Sequence, residues 1–291
     1  MIIDCHAHIA RSLTGFWQPL SHGKVQDRGE VRQVFPPSFD PVASPPEVLL
    51  GYMDQVGVER AFLVQHHMYG DQNACILEAI ERWPDRFSGF GYLGGMGQPD
   101  APDQLERLIE AGMTGLKVEL QSTRRLRPEF RFDGENEWHV WERLNRLKRP
   151  LVLDINGGPL GDLPALQRLL NQFSDVQLLL CHVGGAPGDG WQERALVAKH
   201  PRAWVDLAAV AMAYRDEQEY PYPKSLEIAR WAIETFGADR VMWGTDYPPA
   251  LNVGTYRQHL DFVRVHCTFL NDEQRAAIIG GNAERFLKSV D

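Results

Sequence analysis

What most constrains this chain is a rhythm. Short apolar runs at Ile2–Cys5, Arg60–Val64, Phe87–Tyr92, Gly115–Glu119, Pro150–Asp154, Val176–Cys181, Ala203–Asp206 and Val241–Gly244 recur from one end to the other. They are nearly continuous in hydrophobicity rather than alternating, as parallel strands covered on both faces require. Between them lie amphipathic stretches at Pro46–Gln55, Asn73–Trp83, Pro102–Ala111, Glu135–Leu147, Leu163–Phe173, Gln192–Lys199, Lys224–Phe236 and Tyr256–Phe269. Leu105, Leu108, Ile109 and Gly112 show the spacing of a helix that lays one face on a sheet. Eight strand–helix units predict an α/β fold, a (β/α)8 TIM barrel forming a single domain over residues 1–291. An open doubly wound sheet is the runner-up, but no GxGxxG follows the first strand. Asp272–Ile279 and Asn282–Leu287 predict two short helices closing the outer ring.

One connection is too long for the rhythm. Ile9–Ser44 follows the first strand, carries Phe16, Trp17, Phe35 and Phe39, and shows no clear periodicity. Loops of that length are usually functional or disordered, and the aromatic content predicts an ordered lid over the barrel mouth, with Trp17 against a substrate. A shorter insertion, Gln121–Asp133, brings Arg124, Arg125, Arg127 and Arg131 after the fourth strand.

In such a barrel, active-site groups come from the C-terminal ends of the strands. Here the first strand ends on Asp4-Cys5-His6-Ala7-His8, and alternation sends His6 and His8 to one face with Asp4 below them. Two imidazoles so placed can share a divalent cation. The other strand ends offer His66 and His67, Lys117 and Glu119, Asp154 and Asn156, His182, Asp206, and Asp246. His66 and His67 point opposite ways, so at most one of them faces the pocket, and His66 is taken as the substrate-binding candidate. Lys117 either meets substrate or pairs with Glu119 or Asp154. Arg124 and Arg125 either sit in a solvated turn or clamp a substrate carboxylate with a bidentate fork. The remaining histidines read as structural, and Trp138 with Trp141 as helix packing.

Asp-x-His-x-His at the start, Cys181-His182-Val183-Gly184-Gly185 in the middle and Gly244-Thr245-Asp246-Tyr247-Pro248-Pro249 late resemble the amidohydrolase superfamily. The nearer resemblance is to its branch of decarboxylases and lactonases related to aminocarboxymuconate semialdehyde decarboxylase, whose closing motif is similar to Asn282-Ala283-Glu284-Arg285-Phe286. The resemblance implies a mononuclear site at the mouth of a barrel. His6, His8 and Asp246 would be ligands to one divalent ion, zinc by preference, with Asp246 also a catalytic base and His182 a base or electrostatic stabiliser. The fifth strand departs from the decarboxylase pattern, reading Asp154-Ile155-Asn156 where those members place a metal-binding histidine. Lactone-hydrolysing members look more alike, and some of them work without metal. Asp154 could also replace the missing ligand.

The expected activity is therefore hydrolysis of a small lactone or related carboxylated ester or amide, with non-oxidative decarboxylation of an aromatic or unsaturated acid as the alternative. Trp17, His66, Lys117, Arg124, Asp154 and Asn156 are the substrate-binding candidates. A net charge of −9 argues against nucleic acid as a partner but not against a small anionic substrate in one local pocket. No apolar run is long enough for a membrane span, and no signal-peptide pattern opens the chain. Cys5, Cys75, Cys181 and Cys267 lack zinc-knuckle or disulfide spacing and read as reduced thiols of a cytoplasmic enzyme. Self-association as a homo-oligomer stays open.

Overall fold

The computed structural model describes residues 1–65 and 67–289. Eight strands form one parallel sheet in chain order: β1 (Ile3–Ala7), β2 (Arg60–Val64), β3 (Phe87–Gly91), β4 (Gly115–Glu119), β5 (Leu151–Asp154), β6 (Leu178–Leu180), β7 (Ala203–Asp206) and β8 (Val241–Met242). All eight lie where the apolar runs predict them, and helices such as Pro46–Val56, Glu135–Arg146 and Pro223–Phe236 fall between them. Past β8 the chain runs alongside β1 in parallel. There the Cys5 amide donates to Trp243 O (3.1 Å), the Asp246 amide to His6 O (2.9 Å) and the His8 amide to Tyr247 O (2.9 Å). These bonds close the sheet into a (β/α)8 barrel and fix Asp246 directly beside the two histidines.

The barrel interior is filled with apolar side chains. Ile3, Cys5, Phe62, Val64, Phe90, Val152, Leu179, Cys181 and Met242 fill it, and Phe286 of the last helix, Asn282–Lys288, packs against the rings of Phe62 and Phe90. Simple alternation fails on β1. Asp4 turns away from this cluster to Tyr256 on the outer helix Tyr256–Asp261, rather than lying beneath the histidines. The pairing register with β2 shifts between Asp4 and Ala7, and past this irregularity His6 meets β7 and His8 meets Asp246. The closing tail is also less regular than expected, with a π-turn at Ala277–Gly281 between Asp272–Ala276 and the final helix.

The long connection after β1 is ordered and carries an element absent from the sequence reading: a three-stranded antiparallel sheet of Gln18–Pro19, Lys24–Asp27 and Glu30–Gln33. Its tight hairpin turns on Arg28 and Gly29, both at positive φ (54° and 85°), which matches the twist of paired strands. Phe35 and Phe39 are buried beneath it against Tyr69 and Tyr247. The expected insertion after β4 begins as a helix, Leu120–Leu126, rather than an open loop. Arg125 of that helix reaches Asp27 of the small sheet (2.8 Å) and covers the Phe16 ring. Among the described residues no helix is long and apolar enough to cross a membrane, and all four cysteines are buried and unpaired with one another.

Candidate active site

Three imidazoles meet at the C-terminal mouth of the barrel. The His6 ring lies 5.1 Å from that of His8 and 4.6 Å from that of His182, centroid to centroid. Each is held by its Nδ1. His6 Nδ1 contacts Asp206 Oδ2 (2.9 Å), His8 Nδ1 contacts Val64 O (2.9 Å), and His182 Nδ1 contacts Ala208 O (2.9 Å). A carbonyl can only accept, and a buried carboxylate does so preferentially, so these contacts assign the proton of each neutral ring to Nδ1. Every Nε2 is then a lone pair.

These lone pairs face carboxylates. His8 Nε2 is 3.0 Å from Asp246 Oδ1, His6 Nε2 is 3.8 Å from the same oxygen, and His182 Nε2 is 3.6 Å from Asp154 Oδ2. Acceptors pressed against acceptors need a positive charge between them, either a shared proton or a bound cation. Ligand atoms of His6, His8 and Asp246 lie within 4.8 Å of one another, so the donor set suits a metal ion. A second group, His6, Cys181 and Asp206, is as compact. It suits a metal less well, because His6 Nδ1 is already bonded to Asp206 and burial pushes the Cys181 thiol well above its ordinary pKa.

The backbone is bent to make this arrangement. His182 and Asp246 both sit at positive φ (55° and 66°), a conformation that costs a non-glycine residue free energy and concentrates at functional sites. The turn after His182 explains its two glycines. A Cβ on Gly184 would meet the Ala195 amide at 2.7 Å and one on Gly185 the Asn156 Oδ1 at 2.6 Å, so they admit protein neighbours rather than a ligand. Asp206 is the residue to which the sequence assigns no role. It is fully buried and accepts from the amides of His182 (2.7 Å) and Ala208 (3.1 Å) as well as from His6. Burial pushes its pKa up to about 6 against the pull of His182. Its place at the end of β7 was the signal available.

The other candidates divide. Asp154 stands beside His182 and accepts from the Asn156 amide (2.8 Å), while the Asn156 side chain lies against Gly185. Lys117 is buried and donates to Cys181 Sγ (3.0 Å) rather than pairing closely with Glu119 or Asp154. Burial would lower its pKa, but the contact with Cys181 and the nearby Asp154 carboxylate outweigh it and raise it. Arg124 is held by the protein itself, forked onto Asp162 at 2.7 and 2.8 Å, so neither branch of the expected choice, solvated turn or substrate clamp, describes it as placed. Trp17 packs on Phe35 and Tyr69, and Tyr69 packs on His8. His66 lies outside the described residues. Its neighbour His67 is buried, contacts Thr123 Oγ1 through Nε2 (3.2 Å), and is lowered to about pKa 4 by burial and by Lys117.

The sequence model of the amidohydrolase family matches residues 3–288. The chain belongs to the amidohydrolase family. Among relatives of this amidohydrolase, 4-sulfomuconolactone hydrolase of Hydrogenophaga intermedia is 24% identical, with 99% of this chain aligned to 88% of that one. L-fucono-1,5-lactonase of Burkholderia ambifaria is 22% identical over 98% of this chain and 95% of its own. Among solved structures, an amidohydrolase from Burkholderia multivorans with bound zinc superposes with a TM-score of 0.77 at 19% identity, covering 99% of both chains. The fold and the family are thus shared end to end.

Proposed function

We propose that this amidohydrolase opens a small, negatively charged lactone by hydrolysis. The observation that carries the reading is the convergence of three Nε2 lone pairs, each oriented by an Nδ1 hydrogen bond, on the carboxylates Asp246 and Asp154. Two full-length relatives named for lactone hydrolysis support it. His6, His8 and Asp246 would hold one divalent ion, zinc by their nitrogen-and-carboxylate chemistry. When bound, such an ion supplies carbonyl polarisation and a lowered pKa for water.

The chain's own residues account for the remaining steps. Asp246 takes a proton from the attacking water as its oxygen bonds to the lactone carbonyl carbon, and returns it to the ring oxygen as that carbon–oxygen bond breaks. His182 Nε2, once protonated, would donate to the developing oxyanion. Its pKa is raised, since Asp154, Asp206 and Asp246 together outweigh the burial that disfavours the imidazolium. Asp206 and Val64 O hold His6 and His8 in one tautomer throughout. The product is a hydroxy acid.

The test is a lactone panel run in ¹⁸O-labelled water with Asp246→Asn in parallel. One ¹⁸O should enter the product carboxylate, and the variant should lose at least about 10²-fold in kcat, the lower range for general acid–base catalysis. Release of CO2 from an aromatic or unsaturated acid, with solvent deuterium taken up at the vacated carbon, would instead establish decarboxylation.

A further inference from the structure

Two arginines at the floor of the barrel carry charges that the protein does not answer. Arg60 opens β2 and Arg149 stands two residues before β5, so both lie at the N-terminal end of the sheet, opposite the mouth that His182 and Asp246 occupy. Arg60 Nη2 donates to Ser88 Oγ on β3 (3.1 Å), and Arg149 makes no side-chain hydrogen bond among the described residues. The Nε of each is enclosed without a partner, whereas the remaining Nη groups, also unbonded, are open to solvent. Neither guanidinium is paired with a carboxylate among those residues: Glu284 lies in electrostatic range of Arg60 but is bonded to Lys288 (2.7 Å). In a chain of net charge −9, two cations set together with no acid between them call for an anion from outside.

The space for one is there. Both arginines border a single solvent-open cavity of about 280 Å³, whose wall is mostly polar. The hydroxyls of Ser88 and Thr114 also line it, no carboxylate does, and Phe87 and Leu287 give it an apolar base. Ser88 Oγ accepts from Arg60 and keeps its own proton to donate.

Local structure builds the rim. The helices Ala101–Glu110 and Glu135–Arg146 end alike. The amides of Gly112 and Met113 return to Ile109 O and Leu108 O (both 3.0 Å), and those of Lys148 and Arg149 return to Asn145 O (2.9 Å) and Leu144 O (3.0 Å). These are Schellman turns, closed at positive φ by Gly112 (115°) and Lys148 (52°). They occupy carbonyls that would otherwise accept from the arginines, and they deliver Thr114 and Arg149 to the cavity. A Cβ on Gly112 would meet nothing within 4 Å, so the rim is unobstructed there.

We propose that this cavity binds a small phosphate-type oxyanion between the guanidiniums of Arg60 and Arg149 and the hydroxyls of Ser88 and Thr114. Guanidinium forks match the paired oxygens of a phosphate, and the volume suits a small anion better than a drug-sized ligand. The bound anion would tie together β2, β3 and the segments entering β4 and β5, two of the strands whose far ends carry Lys117 and Asp154. The site is separate from the catalytic residues and does not depend on the hydrolase reading.

Arg149→Gln is the informative variant, because the side chain holds nothing else in place. Inorganic phosphate is titrated by calorimetry at an ionic strength fixed with chloride. Wild type should show saturable binding, weakened at least about 10-fold in Arg149→Gln, the scale of one lost charge-assisted bond. Lys199→Gln, which removes an exposed charge elsewhere, should bind as wild type does. Amide hydrogen exchange locates the ion: phosphate should slow exchange at residues 112–115, 149 and 151 in wild type but not in Arg149→Gln. No saturable binding, no such protection, an equal loss in Lys199→Gln, or undiminished binding by Arg149→Gln each overturns the site, the last by placing phosphate elsewhere, such as at the imidazoles of the mouth. Where the site is upheld, glycerol 3-phosphate separates the sources: tighter binding than inorganic phosphate assigns a phosphomonoester, and equal or weaker binding assigns free phosphate.

Discussion

Glu119 shows how much of this site is decided by neighbours. It sits at the end of β4, directly paired in register with Asp154, and accepts a hydrogen bond from the Ser122 amide (3.0 Å). Burial first, and then the charge of Asp154, pushes its pKa up to about 7, although Lys117 pulls the other way. A carboxyl raised from 4.5 to about 7 on folding contributes its full share of stability below pH 4.5 and loses it as pH rises to about 7, because the unfolded chain ionises first. Glu119→Gln keeps the acceptor for Ser122 and removes the titration. The variant should match wild type near pH 4.5 and be more stable by roughly 3 kcal/mol at pH 8, measured by urea denaturation at both values. Equal stability at pH 8 would mean that Lys117 neutralises Glu119 fully. At this scale the sequence shows which residues end strands, hence His6, His8, His182 and Asp246. It does not show tautomers, because the groups that set them, Asp206, Val64 O and Ala208 O, come from other strands or loops. Nor does it reveal that Arg124 is already claimed by Asp162, a residue from a different connection.

Among the elements, the strands and most helices were legible because burial on both faces leaves a continuous apolar run, and burial on one face a helical period. The small sheet in the 9–44 connection was not. Its strands are largely exposed, Glu30–Gln33 entirely so, and its turn uses Arg28-Gly29 where Asn-Gly or Asp-Gly would have announced a hairpin. Val25, Phe35 and Phe39 tie it to the apolar core, and a polar contact adds to them. Asp27 is 8% and Arg125 23% exposed, so their 2.8 Å contact is shielded from solvent, and Arg125 also covers Phe16. Arg125→Ala leaves the Asp27 carboxylate buried and alone, which should release the sheet without unfolding the barrel. Amide hydrogen exchange over residues 24–33 should accelerate at least about 10-fold, while the β4–β5 amides keep their protection. Exchange unchanged at 24–33 would show that the aromatic cluster under Phe35 holds the lid by itself.

For the molecule as a whole, the question is what closes the barrel, since β8 is only two residues long. The backbone bonds between β1 and residues 243–247 are one answer, and Asp4 is the other. Fully buried, it accepts from the amides of His6 (3.1 Å) and Thr245 (2.9 Å) and from the hydroxyls of Thr245 (2.6 Å) and Tyr256 (2.7 Å). One carboxylate thus joins the first strand, the segment just past the last strand and the outer helix, two residues before His6 and bonded directly to Thr245, the residue before Asp246. Burial raises its pKa to about 6 even though all four bonds pull it down. Asp4→Ala strands four donors in a buried environment, so a loss of about 3–5 kcal/mol is expected by urea denaturation. Asp4→Asn keeps one acceptor oxygen, and the two hydroxyls can turn to accept from its NH2, so its loss should stay near about 1 kcal/mol. Because the same bonds position His6 and Asp246, the alanine variant should also lose the proposed lactone hydrolysis under conditions where it remains folded by circular dichroism. Should alanine and asparagine cost equally little, the ladder of backbone bonds alone would suffice to close the barrel, and Asp4 would be a passenger in the seam.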